Sequence, residues 1–280
     1  MSRIRRRGTG LVGLLLVLVS ACARTPADPW PEPVAGPSDV VLPAVQRRIA
    51  DELVSVFENG TADPRYDYVE RLDDGRGYTC GKIGFTTDGP EVRDVVAAWA
   101  KRRPGDPLVR YLPRLRELAA DADGGDDGMA GFPAAWAAAA GDPQFRRIQD
   151  QATDRIAYGP ALRLARTLGI RTALGVAVLF DTAVQHGMGA DPDGLPALAD
   201  RATRSARGRP ADGTPEQRWL AAFLDVRAET LRHAHDPDTR AVWAESVDRV
   251  KALRRLVNDD RHGLTPPVPL TVFGDEYELR

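Results

Sequence analysis

Glu58 and Asp74 are carboxylic acids in unlike surroundings, the condition that lets one acid give a proton while another takes one. Glu58 falls in the run ELVSVFENG, where the spacing of Val45, Ile49, Leu53 and Val56 predicts a helix and Asn59-Gly60 supplies its stop. A carboxylate in the last helical turn meets the partial negative charge of the terminal carbonyls, and Val56 and Phe57 can take it out of water. Both effects raise a carboxyl pKa, as a proton donor near neutral pH requires. Asp74 lies instead in the polar turn DDGRG, two residues before Arg76, a setting that favours the ionised form. The pair fits a general acid and a general base. Spacing alone favours a surface glutamate at a helix end and an Asp73-Asp74 pair that only builds a hairpin turn, since both are common.

Either use needs a framework that holds a helix end against a turn. Residues 72–87 break the helical period and carry turn glycines, which predicts a β-hairpin or a three-stranded sheet. Helical periodicity continues near 91–102, 107–121, 144–157, 161–186, 194–206, 215–234 and 238–257. Within it, Leu168 to Gly187 is apolar nearly all round and predicts a buried central helix. The tail from Leu264, with Pro266-Pro267, reads as irregular. The fold class is therefore α+β, mainly helical.

The first 22 residues have their own logic. Arg3, Arg5, Arg6 and Arg7 precede an apolar run from Leu11 to Val19, too short to span a bilayer comfortably, which describes a secretory signal peptide. Val19-Ser20-Ala21-Cys22 resembles a bacterial lipobox, so residues 1–21 are expected to be removed and Cys22 acylated, anchoring the chain to a membrane. The arginines also permit twin-arginine export. Residues 22–44, rich in proline, read as a tether, and 45–280 as the folded unit, without internal repeats. Removing residues 1–21 takes away four arginines and no acids, moving the formal charge from −2 to −6. That argues against nucleic acid and suits a cationic partner. With Cys22 acylated, Cys80 has no partner within the chain and reads as a small buried residue. No metal site or cofactor motif stands out; His233-Ala234-His235 would point its imidazoles apart.

The run ELVSVFENG, the segment Tyr66 to Glu70, and DDGRGYTCGKIGF together resemble the chitosanases of glycoside hydrolase family 46. The likeness continues through PGDPLVRYLP, FDTAVQHG, FLDVR, HDPDTR and the closing PP with FGDEY, in order over 45–280. It implies a lysozyme-like fold of two lobes, a small antiparallel sheet in one and the substrate cleft between them. It also implies endo-acting hydrolysis of β-1,4 links between glucosamine residues with inversion, Glu58 being the general acid, Asp74 the general base, and Thr79 a holder of the attacking water. Tyr68, Arg76, Glu91, His186 and Asp236 match positions that meet the sugar. Glu91 replaces a family aspartate, and each of Tyr68, Arg76 and His186 has a structural alternative: core aromatic, partner of Asp74, helix cap. Asp181 is costly inside an apolar run unless a cation meets it, and the resemblance implies that Arg227 and Arg240 pair with it behind the acid. The family's tryptophans near the hairpin and in the C-terminal segment are replaced by Ala62 and Leu270, and Arg232 lies near an expected glutamate. A monomer without a cofactor is expected. A lysozyme-like peptidoglycan hydrolase, or a surface lipoprotein that binds glucosamine polymers without cutting them, are the competing readings.

Overall fold

The computed structural model describes residues 42–280 apart from Asp73 and Asp236. The expected signal segment, Cys22 and the tether to residue 41 lie outside the described residues, as does Asp236.

Helix α1 (Ala44–Asn59) buries Ile49, Leu53, Val56 and Phe57, the stripe its period implies, and carries Glu58 in its last turn. Gly60 ends it in a left-handed conformation at φ 64°, donating its N–H to the Val56 carbonyl. Strands β1 (Val69–Arg71), β2 (Tyr78–Cys80) and β3 (Phe85–Thr86) form an antiparallel sheet in that order, with Thr79 opposite both Glu70 and Thr86. After α2 (Pro90–Arg102), a 3₁₀ turn leads into α3 (Leu112–Asp121), followed by α4 (Phe132–Ala139), which the sequence pattern does not announce, and α5 (Pro143–Thr153). A π-helical turn at Asp154–Tyr158 carries α5 directly into α6 (Gly159–Leu168). Pro160, which has no N–H to donate, sits just past this wider turn.

The single helix expected over 161–186 is two. Gly169, at φ 78°, closes α6, and Thr172 opens α7 (Ala173–His186) by accepting the Gly175 N–H at 3.0 Å. Every residue of α7 from Leu174 onward is buried, as its uniform apolarity requires. Then follow α8 (Leu195–Ala206), α9 (Glu216–Arg232), α10 (Pro237–Glu245) and α11 (Val247–Asn258); the expected helix over 238–257 divides at Ser246. The tail is not irregular: β4 (Val268–Val272) and β5 (Asp275–Leu279) pair as an antiparallel hairpin. The alternation in VPLTV buries Val268, Leu270 and Val272, so Leu270 is a core residue where the family pattern has tryptophan.

The elements fall into two groups. The three-stranded sheet goes with α2 to α5, and α6 to α11 gather with the C-terminal hairpin, while α1 packs on α7. One hydrophobic cluster runs through both. Among the described residues no helix is long and apolar enough to cross a membrane.

Lys82, in the turn after β2, ties the groups where it matters. Its Nζ reaches Asp51 of α1 at 3.2 Å and Asp150 of α5 at 2.8 Å, while its carbonyl accepts from Asn59 Nδ2 at 3.2 Å. The residue after Glu58 is thus bonded to the segment that follows Thr79. Replacing Lys82 with Met removes charge-assisted bonds from a side chain only 4% exposed, and is expected to cost about 1–3 kcal/mol in urea unfolding. A change below about 0.5 kcal/mol, the range of an ordinary surface substitution, would show that the clamp holds nothing.

Candidate active site

Burial sets the state of Glu58. It is 3% exposed, and its Oε1 accepts a hydrogen bond from Arg249 Nη2 while Oε2 has no partner among the described residues. Loss of water pushes the Glu58 carboxyl above its usual pKa; Arg249 opposes this, Asp181 adds to it, and Arg227 opposes it more weakly.

Behind Glu58 lies a chain of fully buried charges. Arg249 stands 3.1 Å from Asp181 Oδ1, and Arg227 Nη1 donates to Asp181 Oδ2 at 2.6 Å. The second Arg227 terminal nitrogen donates to Gln185 Oε1. Asp181 and Arg227 therefore meet as expected, but Arg240 does not join them. It is exposed on α10, where its Nε donates to the Ala234 carbonyl at 3.1 Å. Arg249 of α11 supplies the second cation instead, because α7 presents Asp181 to α9 and α11. A sequence signal for Arg249 existed. With Ala252, Leu253 and Leu256 it occupies one helical stripe, and a charge in an apolar stripe needs a buried partner.

Asp74 has the opposite environment. It sits in the exposed turn between β1 and β2, with 18% of its side chain open. One oxygen accepts the Arg76 backbone N–H at 3.0 Å, and the other accepts from Arg76 Nε at 3.1 Å and Nη2 at 2.7 Å. The pairing alternative for Arg76 is thus realised. The turn is pressed from outside by the segment after α3: a Cβ on Gly124 would lie 1.9 Å from the Gly75 carbonyl oxygen, and one on Gly77 2.2 Å from Thr87 Oγ1. Glycine is what lets these backbones touch and fixes where Asp74 points.

Thr79, two residues beyond Gly77, is buried in the middle of β2, and its Oγ1 has no hydrogen-bond partner among the described residues. Cys80 beside it is a buried thiol raised well above its ordinary pKa by burial, so it serves packing.

The remaining expected residues divide. Tyr68 is buried, with its hydroxyl donating to Glu70 at 2.8 Å, which is the core-aromatic alternative. Glu91 lies in the first turn of α2, where burial lifts its carboxyl pKa and Asp88 and Asp94 add to the effect. His186 ends α7 and is 1% exposed; its Nδ1–H donates to the Asp193 carbonyl at 2.9 Å. Burial, then the positive charge of Arg227, drives its pKa well below the usual value, so the ring is neutral and its Nε2 is an acceptor without a partner among the described residues. Among the described residues no group of three or more His, Cys, Asp or Glu side chains is placed to hold a metal ion.

Residues 52–268 match the model of glycosyl hydrolase family 46. The chain is 45% identical over 232 residues to a chitosanase of Bacillus subtilis, covering 83% of each, and 36% identical over 237 residues to a chitosanase of a Streptomyces strain, covering 84% of this chain and 82% of the relative. Among solved structures it resembles a family 46 chitosanase of Gynuella sunshinyii in complex with chitotetraose, at TM-score 0.81 and 41% identity, covering 86% of this chain and 99% of that one. A mutant chitosanase from Bacillus subtilis complexed with 6 GlcN gives TM-score 0.81 and 41% identity, covering 86% of this chain and all of the other.

Removing one member of a buried ionic chain leaves an uncompensated charge behind. Arg249→Met is therefore expected to lower stability by about 3–5 kcal/mol in urea unfolding. Arg240→Met should stay within about 0.5 kcal/mol, as surface changes do. Equal losses from the two would refute the network as drawn.

Proposed function

The chain belongs to glycosyl hydrolase family 46, and on that premise we propose that it is an endo-acting chitosanase that cleaves β-1,4 links between glucosamine residues with inversion, using Glu58 as general acid and Asp74 as general base. The observation that carries the reading is the contrast between the two acids. Glu58 is enclosed and its carboxyl holds a proton to higher pH; Asp74 lies in an open polar turn, oriented by Arg76.

In this mechanism Glu58 presents its proton on Oε2, because Oε1 is engaged by a permanent donor and can only accept. The proton passes to the glycosidic oxygen as the bond to the anomeric carbon breaks. A water on the opposite face attacks that carbon and gives its proton to Asp74, while Thr79 Oγ1, otherwise without a partner, orients the water. Inversion needs space for that water, so the working separation of the two carboxyl groups is about 6.5–9.5 Å. The ammonium groups of glucosamine explain the acidic balance; Glu91 and Asp236 attract them, and Tyr68, Arg76 and His186 contribute sugar contacts or hold the wall of the cleft. The protein acts as an exported monomer held to the membrane by lipid on Cys22, with residues 22–44 as spacer. The basic, apolar and Ser-Ala-Cys pattern of residues 1–22 supports this part.

Glu58→Gln and Asp74→Asn are each expected to lower cleavage of glucosamine oligomers about 10²–10⁴-fold with the fold retained, the contribution usual for a general acid or base. Normal turnover in either variant would refute the assignment. Product sugars should appear with the α-anomer first; retention would overturn inversion, and faster release of ends from peptidoglycan than from chitosan would overturn the substrate. Because Glu58 must be protonated, activity should fall on the alkaline side as pH passes its raised pKa. Separately, Cys22→Ser is expected to move the protein from the membrane fraction to the medium; an unchanged distribution would remove the anchor.

A further inference from the structure

Gln185 is fully buried one turn beyond Asp181 on α7, and it joins both ends of the network behind Glu58. Its Oε1 accepts from Arg227 Nη2, and its Nε2 donates to Ser246 Oγ at 2.7 Å. Ser246, also fully buried, donates that hydroxyl to the Trp243 carbonyl at 2.7 Å, while its own carbonyl accepts the backbone N–H of Arg249 at 3.1 Å. The contacts close a ring: Arg249 to Asp181, Asp181 to Arg227, Arg227 to Gln185, Gln185 to Ser246, and Ser246 back to Arg249.

Chemistry leaves no choice of amide orientation. Arg227 has only donors, so Gln185 must turn its oxygen there; Ser246 Oγ has already given its proton, so it can only accept. The carboxamide offers Arg227 an acceptor and Ser246 a donor without adding charge. We propose that Gln185 is a positioning residue for the reaction, holding Arg227 and the start of α11 in one arrangement and thereby fixing, through Arg249, where the Glu58 carboxyl stands. The inference rests on the reading of Glu58 as the general acid.

Its effect follows from how two arginines share one aspartate. With Nη2 occupied by Gln185, Arg227 takes only Asp181 Oδ2 and leaves Oδ1 facing Arg249. Without that amide, Arg227 can grip both oxygens as a fork, the arrangement guanidinium prefers. Arg249 then loses part of its counter-charge and bears more strongly on Glu58, which favours the carboxylate. The charged groups acting on Glu58 are Arg249 from α11, Asp181 from α7 and Arg227 from α9, and His186 at the end of α7 is neutral.

The test compares Gln185→Met, which keeps the volume but can neither accept nor donate, with Gln185→Glu and Ser246→Ala, using glucosamine oligomers across pH beside urea unfolding. In Gln185→Met we expect kcat to fall about tenfold, the effect of one charge-assisted hydrogen bond, with KM within about twofold. Its alkaline limb should move to lower pH. Ser246→Ala, a gentler change that frees the amide to turn, should move the limb the same way. Gln185→Glu gives Arg227 a charged partner and releases Asp181 to Arg249, so its limb should move to higher pH. Variants that unfold at lower urea but keep the parent limb would reduce Gln185 to a packing residue and overturn the proposal. Glu58→Gln assayed in parallel separates the failures: if it is inactive and the limb does not move, only Gln185 falls, whereas if it is active the acid assignment falls first.

Discussion

Everything at this site depends on Arg249 touching two acids at once. Glu58 and Asp181 come from different helices, and both are buried where a carboxylate is costly unless a cation meets it. One guanidinium between them meets both carboxyl groups and opposes the rise that burial imposes on Glu58. The second arginine, Arg227, completes the compensation of Asp181. With Glu58 protonated the four groups carry a net charge of about +1, and with Glu58 ionised about zero, so neither state strands a lone negative charge. Linkage makes this a stability statement as well. Burial raises the folded pKa of Glu58, so its protonation favours the folded state at low pH, and that contribution is lost as pH rises through the folded value. A carboxyl buried in this way costs the fold something at alkaline pH.

That chain of charges sits almost wholly in the group of α6 to α11, whereas Asp74 and Thr79 belong to the sheet. The two halves meet through α1. Its packing on α7 brings Glu58 to Arg249, and the bond from Asn59 to the Lys82 carbonyl ties its end to the turn after β2. Lys82 also reaches Asp51 on α1 and Asp150 on α5, so the helix that carries the acid is held by the strand segment that carries Thr79. Registration between Glu58 and the sheet therefore relies on a few polar contacts at one helix end. The continuous hydrophobic cluster supplies cohesion, but apolar contacts do not fix direction to the tolerance that proton transfer needs.

The local part of this was legible in the sequence. The helix ending at Asn59-Gly60, the two strands within 72–87 and the buried α7 follow from period, turn residues and uniform apolarity, whereas β1 at Val69–Arg71 lies before the expected span; the DGRGYT run with the helix-end glutamate marks the family. What failed was long-range choice among similar residues. Arg240 and Arg249 both follow Arg227 at plausible distances, and segment likeness favoured the wrong one; only packing of α11 against α7 distinguishes them. The helix breaks at Gly169 and Ser246 were missed because apolar periodicity continues across both; Gly169 and Thr172 cap the first, while at Ser246 the hydroxyl turns back to the Trp243 carbonyl. The β4–β5 hairpin was hidden by its prolines, although VPLTV alternates as a strand should.

In the proposed mechanism the asymmetry between the two acids suits each to its part. Arg76 suits Asp74 to accepting, since its guanidinium gives two hydrogen bonds and its backbone N–H a third, and an arginine has only donors to offer a carboxylate. Glu58 has one oxygen facing a cation and another facing none, so a proton can reside on the second without breaking the bond at the first. Exchanging the roles would require exchanging the neighbours, and these are anchored differently: Arg76 lies two residues along the same turn, whereas Arg249 lies on a helix far along the chain. A local turn is enough to hold a base in the open. A buried carboxyl that must also be able to ionise needs a cation that only tertiary structure can deliver, which is why the proposed mechanism sets the donor on the buried helix and the acceptor on the hairpin.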